Sequence, residues 1–271
     1  MSNDHGTERN TIEFRVWGRY AMFTDPLTRV GGEKFSYHLP TYEALKGICK
    51  SIYWKPTLIW YIDKVRLMRR IRTQTRGMKP LDYVAGGNTL AIYTYLTGDA
   101  RSHHPVDITD GPGVEYQVRA HFEWNLHQEA LTGDRIDGKH YAIAQRSLNT
   151  GGRQDIFLGT RDCQGYVAPC VFGEGASNYD NDGSVDYALM FHSFDYPDET
   201  GDGWLRSNFW RPLLIDGVLT FPRPDDTRGQ IIKKNIRPMQ AKKFGVDQLR
   251  SVEEELLALP AAPEFETGAS L

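Results

Sequence analysis

A lysine and a histidine stand side by side at Lys139 and His140, directly after Gly138. The pattern Tyr141, Ala144, Leu148 predicts a helix starting there, with Asp137 as its cap and Gly151-Gly152 as its end. The first turn of a helix carries unpaired N–H groups and the positive end of the dipole, which attract anions and slightly disfavour Lys. A cation and a proton-transfer group at that position make a candidate anion site. A solvated Lys beside a surface His is the alternative. A second candidate is Tyr53. The stripe Leu45, Ile48, Cys49, Ile52 predicts a helix capped by Thr41, and Tyr53 lies off that stripe, on the line Lys46, Lys50, Tyr53. A phenol would then share its face with two ammonium groups.

Other motifs dissolve on inspection. Gly133 to Lys139 fits the opening of a phosphate-binding loop, but His140 replaces the magnesium-binding hydroxyl and no apolar strand precedes it. His103-His104 has no further ligand at a metal-binding spacing. Asp180-Asn181-Asp182-Gly183 lacks the terminal glutamate of a calcium loop and reads as a turn. Cys49, Cys163 and Cys170 form neither a metal spacing nor a disulfide framework, which fits a reducing compartment. No signal peptide opens the chain and no apolar run reaches membrane-spanning length, so the expected location is cytoplasmic.

The elements that must position these groups follow in order. Thr11 to Trp17 alternates as a half-buried strand, Gly18 to Leu39 is a loop, and a helix runs from Thr41 to Tyr53. Thr57 to Arg66 reads as a central strand, Thr89 to Leu96 and Val114 to Glu123 as two more, and Ile156 to Leu158 as a strand after the second helix. Strand, helix, strand, a hairpin-like excursion, strand, helix, strand is the β-α-β-β-α-β plan. The predicted class is α+β: a ferredoxin-like domain of the RNA-recognition type at 10–172, carrying an extended basic β-hairpin. A small antiparallel β-rich unit follows at 173–245, with a strand at Tyr187 to Phe191 and a hairpin around Asp216-Gly217. Residues 246–271 are predicted as a helix from Val246 and a disordered tail.

The net charge of −3 is unevenly spread. Lys64, Arg66, Arg69, Arg70, Arg72, Arg76 and Lys79 fall within one stretch that holds no acidic residue. Such a run predicts a docking face for a polyanion. A merely solvated strand would intersperse Asp and Glu.

Several blocks resemble the type I-C member of the Cas-five family of CRISPR-associated proteins. They are Phe23 to Thr28, Gly31 to Lys34, Pro40 to Gly47, Ser51 to Pro56, Gly87 to Ala91, Gly138 to Cys170, Tyr196 to Gly201 and Phe221 to Pro224. One departure is an insertion between Tyr95-Leu96 and Tyr116, which includes His103-His104. The resemblance implies an endoribonuclease that cuts the repeat hairpin of precursor guide RNA and keeps the 5′ handle within a surveillance complex. It implies CRISPR repeat and guide RNA, the backbone and large subunits and target DNA as partners, no membrane, no cofactor and no metal. The family's catalytic Tyr, Lys and His fall on Tyr53, Lys139 and His140. Candidate RNA contacts are Lys46, Lys50, the seven residues of the basic run, Arg146 and Arg153. Attack by the ribose 2′-OH would leave a 2′,3′-cyclic phosphate, with the base, Tyr53 or His140, left open. A non-catalytic cap of the guide-RNA 5′ end and a general double-stranded nucleic-acid binder are the alternatives.

Overall fold

The structure, a computed structural model, describes residues 10–25, 33–78, 91–98 and 113–245. Outside them lie the expected tail at Met1 to Arg9, Gly31-Gly32, Lys79, the block from Gly87, His103-His104, and the helix and tail from Val246. In chain order the elements are β1 (Thr11–Gly18), β2 (Lys34–Phe35), α1 (Tyr42–Ile52), β3 (Leu58–Leu67), β4 (Ile71–Met78), β5 (Ala91–Gly98), β6 (Val114–Trp124), α2 (Lys139–Asn149), β7 (Ile156–Phe157), β8 (Gln164–Pro169), β9 (Ser184–Asp186), β10 (Met190–Asp195), α3 (Pro197–Thr200), β11 (Trp204–Trp210), β12 (Leu213–Ile215), β13 (Val218–Thr220) and β14 (Ile232–Pro238). The fold is mixed α/β and dominated by antiparallel sheets. Among the described residues no helix is long and apolar enough to cross a membrane.

Alternation builds the central sheet. β1 buries Ile12, Phe14 and Val16 completely, as a period of two requires of a half-buried strand; β6 buries Val114, Tyr116, Val118, Ala120 and Phe122 on the same period, with Glu115 and Gln117 of its other face buried too. The two pair antiparallel from Thr11↔His121 to Gly18↔Val114. The sheet runs β7-β8-β1-β6-β3-β13-β12-β9, beside two three-stranded sheets, β10-β11-β14 and β2-β5-β4. The helices lie against this sheet, with Leu45, Ile48, Cys49 and Ile52 of α1 and Ala144 and Leu148 of α2 in one core with its strands.

The basic run divides between two sheets: Lys64 and Arg66 lie in β3 of the central sheet, whereas β4 leaves to pair antiparallel with β5 as the hairpin-like excursion. The stretch after residue 172 adds β13 to β3 through Leu219↔Val65. Its hairpin is tight for the reason the sequence suggests. Asp216 and Gly217 both take positive φ, 46° and 75°, the backbone that suits a two-residue turn between twisted strands. The strand expected at Tyr187 to Phe191 lies further on, at β10.

Candidate active site

Tyr53 and His140 meet where the end of α1 faces the start of α2. Thr41 caps α1, its side chain accepting from the Ala44 N–H, and the helix stops at Ile52, leaving Tyr53 in extended backbone. The Trp60 indole N–H donates to the Tyr53 carbonyl at 2.8 Å. The Ser51 carbonyl accepts from the N–H groups of Arg153 and Gln154, each at 3.1 Å. These bonds stitch the segment after α2 to the end of α1 and bring the Arg153 guanidinium to 5.5 Å from the Tyr53 ring centroid.

At the other side, Gly138 rather than Asp137 is the cap of α2. Its φ of 75° is left-handed, and no side chain caps the helix. That turn sends Lys139 outward and His140 inward. His140 therefore heads the buried stripe in place of Tyr141, at 0% exposure, with Trp124 edge-on at 5.5 Å.

The hydrogen bonds fix the tautomer. His140 Nε2 lies 2.7 Å from the Asp134 carbonyl oxygen, which only accepts, so Nε2 carries the proton. Nδ1 of the neutral ring is then an acceptor, and the Tyr53 hydroxyl, 2.8 Å away, donates to it. Burial pushes the Tyr53 phenol up to about 12; the Asp134 charge adds to this and Arg153 opposes it. Burial would also raise the Asp134 carboxyl, but hydrogen bonds from Lys139 and Thr57 and the charge of Lys139 hold it below its ordinary value of 3.8. Over the pair lies an open groove of about 750 Å³, lined among others by Lys55, Lys139, Arg146 and Arg153. The arrangement offers a buried proton-transfer pair under a row of cations, suited to a phosphodiester.

The other expected contacts divide sharply. Arg146 and Arg153 are exposed in the groove. Lys46 is not on the surface: it is 3% exposed and paired with Glu199, which also holds Lys50 at 3.1 Å. The cation beside Tyr53 is thus Arg153, not either lysine of α1. Arg66 is buried, donating to the Gly175 carbonyl at 3.0 Å and Asp180 at 2.7 Å. Arg69 pairs with Glu115 and Arg70 with Asp182, so the acidic segment Asp180 to Gly183, read as a turn, answers the basic run. Lys64, Arg72 and Arg76 are exposed, with Arg76 4.3 Å over the Tyr20 ring.

The family described as CRISPR-associated protein (Cas_Cas5) matches residues 11–222. The chain belongs to this family. It is 31% identical over 230 residues to the CRISPR pre-crRNA endoribonuclease Cas5d of Mannheimia succiniciproducens, covering 79% of this chain and 95% of that protein. Its identity to the Cas5d endoribonuclease of Thermus thermophilus is 34% over 159 residues, 58% of this chain and 63% of that one. A crystal structure of a CRISPR-associated protein superposes with a TM-score of 0.62 at 32% identity, covering 78% of this chain and 91% of the other. A functionally uncharacterized protein from Streptococcus mutans gives 0.61 at 35% identity, with 78% and 92% covered.

In this Cas5-family chain, sequence reasoning missed Asp134, Thr57 and Lys55. Asp134 sits inside the rejected phosphate-loop motif, and its carboxylate contacts both Thr57 and Lys139. Its only sequence signal is an acid five residues ahead of a lysine, too common to single out.

Proposed function

We propose that the chain is a CRISPR repeat-RNA endoribonuclease that cleaves by attack of the RNA's own 2′-OH, with Tyr53, Lys139 and His140 as its catalytic groups. The observation that carries this reading is the Tyr53–His140 hydrogen bond beneath the cationic groove; the Cas5d relatives named as pre-crRNA endoribonucleases support the substrate. A phenol near 12 is a poor base by itself at neutral pH. The free lone pair of the neutral imidazole faces Tyr53, so a proton reaches His140 by way of that hydroxyl. The 2′-OH gives its proton to Tyr53 Oη as Tyr53 passes its own to His140 Nδ1. The 2′-oxygen bonds to phosphorus, the P–O5′ bond breaks, and the 5′-oxygen takes up a proton returned from the pair. A 2′,3′-cyclic phosphate and a 5′-hydroxyl result. Lys139 and Arg153 offset the charge on the phosphorane.

The same reading takes the order β8-β1-β6-β3 as a ferredoxin-like core, with β8 in the fourth-strand place expected for Ile156 to Leu158; Ile156 and Phe157 instead form the short edge strand β7 beside it. The cut RNA's 5′ handle stays on the chain in the type I-C complex, beside the backbone and large subunits and the target DNA. A second reading, a non-catalytic cap of the guide's 5′ end, draws on the burial of Tyr53 and His140, 1% and 0% exposed. Incubating the purified chain with its cognate repeat RNA separates the two. Cutting with a cyclic phosphate end supports the nuclease; tight binding without cutting supports the cap.

A further inference from the structure

We propose that Asp134 is a positioning residue for this reaction, holding the His140 tautomer and stabilising the imidazolium that forms when the proton arrives; this rests on the nuclease reading above. Asp134 closes the 3-10 turn Glu129–Asp134 that precedes α2, and four of its contacts converge on the site. Its carbonyl oxygen accepts from His140 Nε2 at 2.7 Å, which leaves Nδ1 for Tyr53. Its Oδ2 lies 3.5 Å from the same Nε2, where a negative charge favours the protonated ring. Thr57, itself fully buried, donates to Oδ2 at 2.8 Å and stops the carboxylate from swinging away. Lys139 donates to Oδ1 at 2.5 Å and is thereby held at the groove.

The charged and titratable surroundings of the ring come from each side. Tyr53 faces it from the end of α1, Asp134 from the preceding turn and Lys139 from α2 itself. Arg153 lies beyond Tyr53, and from β6 the uncharged Trp124 packs edge-on against the ring. Asp134 is therefore the one carboxylate in contact with His140 among the described residues. A histidine that gains and returns a proton in each turnover needs such a partner, because a buried imidazolium without a counter-charge is costly.

Asp134→Asn keeps the backbone carbonyl and an oxygen for Thr57 but removes the charge. Its expected cost is a cleavage rate about tenfold lower or more, the factor that one pKa step represents, at unchanged repeat-RNA affinity. The limb of the pH–rate profile that reports His140 moves to lower pH. In the RNA-free protein, ¹⁵N NMR of His140 shows the same downward move of the ring's titration. In a His140→Ala background the substitution adds no further loss. Thr57→Val retains the charge but frees the carboxylate, and it falls between wild type and Asp134→Asn; it also decides the matter if Asp134→Asn does not fold. An Asp134→Asn protein with wild-type rate, pH profile and ring titration overturns the proposal, as does an equal loss in the His140→Ala background. A wild type that binds but never cuts defeats the nuclease reading, whereas an unmoved ring titration defeats only the role of Asp134.

Discussion

The Tyr53 hydroxyl donates to His140 Nδ1 across 2.8 Å, although 87 positions separate the two residues in the chain. Removing either end of this bond breaks the proposed proton path. Tyr53→Phe and His140→Ala should each slow cleavage of repeat RNA by about 10²–10⁴-fold. The double variant should lose little more than the worse single one, since the two act as one unit. Single-turnover rates at matched RNA saturation check this, and additive losses would mean the two residues serve separate steps.

The nucleophile in this mechanism belongs to the RNA, which permits a chemical test without mutation. A single 2′-deoxy sugar immediately 5′ of the scissile phosphate should abolish cutting there while binding persists. A chelator should leave the rate unchanged. Cleavage of the deoxy substrate, or strict dependence on a divalent ion, would make water the nucleophile.

Local patterns made much of the fold legible. Period-two alternation of apolar residues identified β1 and β6, the helical stripe identified α1, and the Asp216-Gly217 pair identified its hairpin, because each depends on neighbouring residues only. Lys139 and His140 were legible as a pair at a helix start, but not that Gly138 would turn the imidazole inward. What stayed hidden was long-range pairing. The stretch from Lys64 holds no acid, yet Arg66 and Arg70 find theirs at Asp180 and Asp182, 114 and 112 residues away. Lys46 finds Glu199 at a separation of 153. Charge runs read along the chain cannot anticipate partners that only the sheet topology delivers.

Glu199 supplies a stability prediction. Burial would raise its carboxyl, but Lys46 and Lys50 hold it below its ordinary value of 4.5. A carboxyl depressed by folding stabilises the native state above its unfolded pKa, and that contribution is lost as pH falls through the folded one. Wild type should therefore weaken below about pH 4.5, and Glu199→Gln should show a flatter acid limb over that window. At neutral pH, Glu199→Ala leaves the ammonium of Lys46 buried and unpaired and should cost about 3–5 kcal/mol in denaturant unfolding. Wild-type stability in that variant would mean Lys46 escapes to solvent.

Arg66 and Arg153 should fail differently when removed. Arg153 is exposed in the groove, while Arg66 is buried among carbonyls, Gln117 and Asp180. A cation that meets a phosphate releases counterions, so its loss flattens the dependence of log affinity on log salt by about 0.7–0.9 per contact. Arg146→Ala and Arg153→Ala should each flatten that slope while leaving the thermal midpoint close to wild type. Arg66→Ala should leave the slope alone and lower the midpoint, because Asp180 and two carbonyls lose their donor. Titrating repeat RNA at several salt concentrations, alongside thermal melts, reads both effects. A flattened slope in Arg66→Ala with an intact midpoint would return this arginine to the RNA interface.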